Sequence, residues 1–574
     1  MKKILKKAVL LSYVIACICS SSSSNFKTAK AAFSESATGF TGKTVNVTDL
    51  ITPGVVMQDN ETSALCFPET FDLREYGLVT PVYEQGDFGT CWAICAMESL
   101  ETQILKNRYE ENIDLSEWHL AYFTFTGSDV FYPSNENVFQ CGGTNTIAAA
   151  ILSRWIGATY EKNAPYNSSE TVDSSLKYKS DYKVQDIYNL HPWVSKHNKY
   201  SVSFLKELIY NLNSVSVFYN SSNTYYNSST NSHCCLDPEA KVSHAVLLVG
   251  WDDNYPRENF KATNRPENDG AWLVKNSWGN DWGEDGYFWL SYEDTSLCEA
   301  GSYFCEPGHM YSTNYCHDNM GWITSISADS QQKSTTGYMS NVFTATETDD
   351  ITAVSFYTTE QNAQYEVSVY TNLMSTKNPS RGTLASTASG TEKYTGYHTI
   401  KLDTPAHVSK GSKFSVVIKL KNPTSPYMIA TEASVIYIED QSGTTIPNLV
   451  YMPSSSEYNK SFISTDGTEW SDIAGDTYSY KYPEHMNFAN AMTGFQYLTL
   501  GNTCIKAFGS EIIRGDINSD GKTDIFDLLI MQEIITGTYL DTDNIQLFRK
   551  DMNDDKIINI ADYILLKNIL LTAK

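Results

Sequence analysis

The sequence predicts three folded regions: a two-lobed α+β domain, an all-β sandwich, and a small all-α unit at the C-terminus. Three patterns predict this. Helical spacing of apolar residues dominates from Cys91 to Leu212, and the apolar strands Val242–Trp251 and Ala271–Lys275 follow. From about Gly321 to Phe508 short alternating runs replace the helical period. An acidic loop beginning at Asp516 then recurs at Asp551, 35 residues later, each copy followed by an apolar helical run. At 574 residues the chain exceeds what one core holds, and three or four domains are expected.

Charge and termini narrow the classes further. The formal net charge is −25, with 67 acidic against 42 basic residues, which argues against a general nucleic-acid binder. Lys2, Lys3, Lys6 and Lys7 precede an apolar run from Ala8 to Cys19 and a serine tract. This is the pattern of a secretory signal over residues 1–31, with cleavage after Ala29-Lys30-Ala31. A secondary reading is a lipid anchor at Cys17, within Val14-Ile15-Ala16-Cys17. Residues 32–66 are polar and read as a short propeptide or N-terminal arm. Of the twelve cysteines, two lie in the signal and Cys91 is needed as a thiol, so the other nine cannot all pair within one chain.

The α+β region, 67–305, is organised around Pro81–Ile94, reading PVYEQGDFGTCWAI. Gly86 and Gly89 supply a turn, and helical spacing from Cys91 through Ala96 and Leu100 carries the helix to about Asn107. A thiol at a helix N-terminus is favoured as thiolate by the dipole and the unpaired N–H groups. Gln85 offers a side-chain N–H beside the Cys91 backbone N–H, a pocket for a developing oxyanion. Ser116 is the expected N-cap of a second helix opening at Glu117, and a third is expected near Thr146. Phe204, Leu205, Leu208, Ile209 and Leu212 recur at helical spacing, and Val215, Val217 and Tyr219 alternate as a strand. His244 opens an apolar strand. Asn276 closes another and is followed by Ser277-Trp278-Gly279.

In this order the segments resemble papain-like cysteine proteases, beginning at Phe67-Pro68-Glu69-Thr70-Phe71-Asp72. The resemblance implies Cys91 as nucleophile, His244 as base and then acid, Asn276 as the group orienting the imidazole, and Gln85 as oxyanion donor, with no cofactor for catalysis. It assigns substrate contact to Gly142, Gly143 and Trp278, with Trp278 covering the Asn276–His244 hydrogen bond. Cys91 precedes His244 by 153 residues and Asn276 by 185, longer than the family's usual spacing, and polar loops account for the excess. Phe88 stands where many relatives carry a disulfide-forming cysteine, which leaves Cys141 without that partner. Cys95 reads as a small core residue. His233 with Cys234-Cys235 reads as neither a metal nor a redox site. The insertion Asp252–Gly270 is expected to elaborate the rim of the cleft.

In the second region, 321–508, Ile351–Phe356, Tyr365–Tyr370 and Phe414–Leu420 alternate as strands between polar turns. Thr395–Ile400 and Asn502–Phe508 resemble the lectin-like domain that follows the papain-like unit in some bacterial secreted proteases. Its tyrosines are candidates for stacking on carbohydrate.

The C-terminal unit, 511–574, holds two twelve-residue loops. Asp516, Asn518, Asp520, Lys522, Asp524 and Asp527 fall at positions 1, 3, 5, 7, 9 and 12 of the first. Asp551, Asn553, Asp555, Ile557, Asn559 and Asp562 fall at those of the second. Side-chain oxygens at this spacing, with a backbone carbonyl at position 7, suit Ca2+. An Asp at position 12 and a single helix after each loop resemble the dockerin module, which implies two calcium sites and a cohesin partner on a cellulosome-type scaffold. The resemblance implies that Ile525, Phe526, Ile560 and Ala561 help choose that partner. Lys556 replaces the turn glycine of the second loop and weakens that site. The whole reads as a secreted, scaffold-attached cysteine endopeptidase. The competing reading is a papain-like unit that only binds or inhibits, beside a carbohydrate- or protein-gripping sandwich.

Overall fold

The computed structural model describes residues 67–126, 137–190, 200–438, 457–474, 477–481, 495–510, 514–518, 522–538, 547–553, 555 and 557–572. The expectations for the signal, for Cys17, for the arm 32–66, and for Asp520 and Lys556 lie outside the described residues.

The first lobe is helical. Helix α1 (Cys91–Lys106) is buried on every side from Cys91 to Ile104, polar residues included, so it runs through the core instead of over it. Helix α2 (Glu117–Phe125) starts where Ser116 caps it, its hydroxyl accepting the His119 N–H. Thr144 caps α3 (Asn145–Leu152) in the same way through Ile147 N–H. Each such cap is worth about 1 kcal/mol. Phe88 packs edge-on against Trp118, Phe139 and Tyr166. None of the nine described cysteines forms a disulfide.

The second lobe is a sheet. The His244–Asp252 strand lies between Val215–Tyr219 and Ala271–Lys275, and α1 packs across this part of the sheet. The expected helix before Val215 is α4 (Val202–Glu207), which widens into a π-helical turn over Leu208–Leu212. The insertion after Asp252 packs around Phe260 and Tyr255, against Trp289, and its Asn259 carbonyl oxygen accepts hydrogen bonds from Asn227, Thr230 and Ser232.

The sandwich is fused to this sheet. The Tyr182–Tyr188 strand pairs on one edge with Cys298–Pro307 and on the other with Gly396–Val408, giving a 13-stranded sheet that crosses both regions. Gly396 permits the join: its φ is +130°, and a Cβ there would lie 2.0 Å from the Ile187 carbonyl oxygen. The sheet continues through Asp349–Thr358 and Lys506–Ser510 to Thr313–Cys316, a strand outside the predicted boundaries of both regions. A six-stranded sheet centred on Lys413–Lys421 and a four-stranded one holding Ile429–Ile438 complete the β region. Apolar contacts run unbroken from α1 into the sandwich.

The C-terminal unit pairs α5 (Ile525–Thr536) with α7 (Ile560–Thr572) through Leu528, Met531 and Leu566. The short α6 (Leu547–Lys550) precedes the second loop. Helix α5 opens with a capping box between Asp524 and Asp527 and closes at Gly537, whose φ is +72°.

Candidate active site

Cys91 is the first residue of α1. Thr90 makes no side-chain cap, while its carbonyl oxygen accepts the Ala93 and Ile94 N–H groups. The thiol therefore sits at the positive end of a sixteen-residue helix. His244 opens the strand against which α1 packs, opposite Tyr219. Asn276 directly follows the neighbouring strand, and its Oδ1 accepts a hydrogen bond from His244 Nε2 at 2.8 Å. That bond leaves Nδ1 as the imidazole nitrogen turned away from Asn276. The Trp278 ring stacks on His244 at 4.7 Å between centroids and 21° between planes, shielding the bond.

Gln85 is held from several sides. Its backbone N–H donates to the Ser277 carbonyl oxygen at 2.8 Å, and Ser277 Oγ donates to Gln85 Oε1 at 2.7 Å. The amide is thereby oriented with Nε2 as the donor end, which bonds the Phe88 carbonyl oxygen at 2.7 Å. Tyr166 donates to the Gln85 carbonyl oxygen at 3.0 Å and shares a hydrogen bond with Thr90 Oγ1. A bridge between Glu84 and Trp278 and a bond from Gly279 N–H to the Tyr83 carbonyl oxygen zip this segment to the one after Asn276. Gln85, Cys91, His244 and Asn276 are all buried, which keeps bulk water from their hydrogen bonds. The structure thus places the four predicted residues on two segments and two strand ends that are bonded to one another.

Gly143 is a glycine for a reason the sequence does not reveal. A Cβ there would lie 2.3 Å from the Trp92 ring, so the Gly142-Gly143 segment lies directly on the helix that carries Cys91. Cys141 is buried beside it. Burial pushes the Cys95 thiol well above its ordinary pKa and the Cys234 and Cys235 thiols to about 12 and about 11, so none of these is a ready nucleophile. His233 pairs with Asp294 at 3.0 Å, and Asp294 also accepts the Cys235 N–H, a structural arrangement.

Sequence reasoning missed Ser277 and a set of buried charges behind the site. Lys275, one residue before Asn276, lies 2.8 Å from Glu98 of α1 and 3.2 Å from Thr80 Oγ1. Thr80 donates to Glu101 at 2.7 Å, and Glu101 also accepts the Leu115 N–H at 2.8 Å. Burial raises the Glu101 carboxyl to about 8 and the Glu161 carboxyl to about 7. The only signal was a pair of acids, Glu98 and Glu101, on a helix whose first two turns are apolar.

In the C-terminal loops the position-12 carboxylates organise the backbone. Asp527 accepts the Ile517, Asn518 and Asp524 N–H groups, and Asp562 accepts those of Met552 and Asn559. Asp516, Asp527, Asp551 and Asp562 are buried, and the donor set is oxygen alone, which fits a hard cation such as Ca2+. Among the described residues no three His, Cys, Asp or Glu side chains converge at metal-holding geometry, and the position-5 residue Asp520 lies outside them. Arg549 binds Asp516 at 3.0 Å and Asp350 of the sandwich at 3.4 Å, tying the unit to the sheet. Ile525, Phe526 and Ile560 are exposed, and Ala561 is half-buried.

Comparison with known proteins accounts for all three regions. Residues 67–308 match the family model described as papain family cysteine protease, 314–509 the lectin like domain, and 514–571 the dockerin type I domain. Among curated proteins, the viral cathepsin of Heliothis zea nuclear polyhedrosis virus is 30% identical over 224 residues, 38% of this chain and 51% of that protein. Procathepsin L of Rattus norvegicus is 30% identical over 242 residues, 42% of this chain and 64% of that protein. The chain thus spans between about half and two thirds of the length of these relatives. Among solved structures, the cysteine protease and lectin-like domains of Cwp84, a surface layer associated protein of Clostridium difficile, superpose with a TM-score of 0.60 at 26% identity. That match covers 78% of this chain and 90% of the other. A second structure, the clostridial cysteine protease Cwp84 after propeptide cleavage, gives the same TM-score and identity over 77% and 99%.

Proposed function

We propose that this chain, which carries a papain family protease domain, a lectin-like domain and a type I dockerin domain in that order, is an extracellular cysteine endopeptidase held on a cohesin-bearing scaffold. The observation that carries the peptidase reading is the His244 Nε2–Asn276 Oδ1 bond beneath the Trp278 ring, beside a helix that begins at Cys91. Asn276 fixes the imidazole plane and directs Nδ1 to the thiol. The imidazole takes the Cys91 proton, and the resulting ion pair lowers the thiol pKa below its usual value of about 8.5. The thiolate adds to the peptide carbonyl carbon, and the oxyanion is met by Gln85 Nε2–H and the Cys91 backbone N–H. As the C–N bond breaks, the imidazolium gives its proton to the leaving amine. The same imidazole then activates water to release the acid and regenerate the thiol. Thiol and imidazole supply nucleophile and proton transfer themselves, so this sequence calls for no cofactor. Gly142 and Gly143 offer backbone groups to an extended peptide, and Trp278 walls the far side.

Attachment is a separate part of the proposal. Asp516, Asn518, Asp520, the Lys522 carbonyl, Asp524 and Asp527 would hold one Ca2+; Asp551, Asn553, Asp555, the Ile557 carbonyl, Asn559 and Asp562 would hold a second. The buried carboxylates of both loops would be neutralised by calcium bound there, which would fix the backbone that launches α5 and α7. The exposed Ile525, Phe526 and Ile560, with Ala561, form the face offered to a cohesin. The sandwich is proposed to contact carbohydrate, following the domain it matches.

Hydrolysis of a mixed fluorogenic peptide library under reducing conditions, comparing the intact chain with Cys91→Ala, tests the first part. Cleavage by the intact chain alone supports it. No cleavage by either, even after trimming to Phe67, favours a binding module, and equal cleavage by both removes Cys91 as nucleophile.

A further inference from the structure

Three of the four catalytic residues stand on three pieces of chain that meet behind the site: α1 with Cys91, the segment 80–85 ending in Gln85, and the segment 275–277 holding Asn276. One buried charged group touches all three. Lys275 Nζ lies 2.8 Å from Glu98 Oε1, with the two side chains at most 2% exposed. The contact is a buried ion pair. On its other side Nζ donates to Thr80 Oγ1 at 3.2 Å and sits 5.1 Å from the centre of the Tyr83 ring. Thr80 hands its own proton to Glu101 of α1, and Tyr83 OH contacts Glu101 at 3.3 Å and Asp114 at 3.1 Å. Glu98 lies two helical turns beyond Cys91, on the same face, because seven residues nearly complete two turns.

We propose that Glu98 is a positioning residue of the catalytic machinery: through Lys275 it sets the spacing between the helix bearing Cys91 and the strand end bearing Asn276. This rests on the peptidase reading above. A strut is needed here because Asn276 orients His244 through a single bond of 2.8 Å. A shift of Lys275 moves its neighbour Asn276 and, with it, Ser277, whose Oγ sets the Gln85 amide. Helix, imidazole and oxyanion donor are therefore all referred to one ion pair. A misplacement on the order of 1 Å at such a site is enough to cost about a hundredfold in rate.

The pair works only with Glu98 ionised. Burial raises its carboxyl pKa and Lys275 lowers it, with a net rise. The titratable groups around it are Lys275, Glu101 and Cys95, with Tyr83 and Glu117 from the neighbouring segments and Tyr287 from the adjacent strand. Acidification through the Glu98 range then unlocks the strut.

The test uses the full chain with two variants. Glu98→Gln removes the charge. The double variant Glu98→Met with Lys275→Met removes the pair without leaving a buried uncompensated charge, a replacement proteins often tolerate without loss of stability. Peptide hydrolysis gives kcat and KM, calorimetry gives the thermal midpoint, and the pH dependence of Cys91 alkylation by iodoacetamide, mapped by mass spectrometry, needs no peptide substrate. Both variants are expected to lose about tenfold in kcat with KM within about twofold, and the acid limb of Cys91 alkylation is expected to move to higher pH, because a displaced imidazole stabilises the thiolate less. The double variant is expected to melt near the intact protein. A double variant with intact-like melting, kcat and alkylation profile would overturn the proposal, as would variants whose loss is carried by KM. If the intact chain hydrolyses no peptide, the peptidase reading fails, while the alkylation profiles still decide whether Glu98 tunes Cys91.

Discussion

Gln85 illustrates how much of a site is visible one residue at a time. Its place six residues before Cys91, across a turn from the helix start, is legible from the sequence and is what marks it as the proposed oxyanion donor. What aims its amide was not. Ser277 does so from 192 residues away, and no local pattern marks a serine as the partner of a distant amide. Gln85→Ala is therefore expected to lower kcat about a hundredfold or more with little change in KM, as removal of an oxyanion donor does, and Ser277→Ala to lower it by less; steady-state kinetics check both. Asn276→Ala loses two hydrogen bonds at once, since Oδ1 also accepts the Ser277 N–H at 2.8 Å. We expect kcat/KM to fall on the order of tenfold to a hundredfold. An equally active Asn276→Ala would remove the orienting role.

Among the elements, Ser116 was legible as the cap of the helix opening at Glu117 and bonds its first turn, while the caps Thr144 and Asp524, which do the same for α3 and α5, emerge only in the structure. The strand Thr313–Cys316 was missed because a strand's partner is set by tertiary context; here it is Lys506–Ser510, almost two hundred residues on. The Gly142-Gly143 pair was read as room for substrate, and the structure adds the contact with Trp92. Gly143→Ala is expected to destabilise the protease region by ~1–3 kcal/mol, and a denaturation midpoint matching the intact protein would contradict this. The buried acids between α1 and α2 give a pH dependence with a definite sign. Glu101 is raised from an ordinary 4.5 to about 8, so the fold keeps a proton that the unfolded chain releases above the ordinary carboxylate range. Its contribution is full below that range and lost as pH rises through about 8. Melting measured from pH 5 to 9 should show a declining midpoint, and Glu101→Gln should flatten the decline.

Across the whole molecule, the order of regions is legible in the sequence but their fusion is not. Two domains were expected in series, and one sheet crosses them because Gly396 lets the Gly396–Val408 strand lie beside Tyr182–Tyr188. Composition and periodicity describe each strand without saying which edge it meets. A fragment ending near residue 310 would expose that edge and the sandwich-facing side of the core, and we expect it to aggregate or unfold. A fragment ending at Ser510 should keep full hydrolysis and lose scaffold binding. Chelation of calcium should abolish cohesin binding and leave hydrolysis unchanged; scaffold binding that survives chelation would remove the calcium-dependent docking.

The most direct measurement is alkylation of the intact chain near pH 6 with limiting iodoacetamide, mapping the label by mass spectrometry while following peptide hydrolysis. Burial raises the Cys95, Cys234, Cys235, Cys298, Cys305, Cys316 and Cys504 thiols, so they should stay unlabelled. The account predicts label on Cys91, with activity falling in proportion to its occupancy. Label elsewhere with Cys91 untouched, or full activity with Cys91 fully labelled, would contradict it.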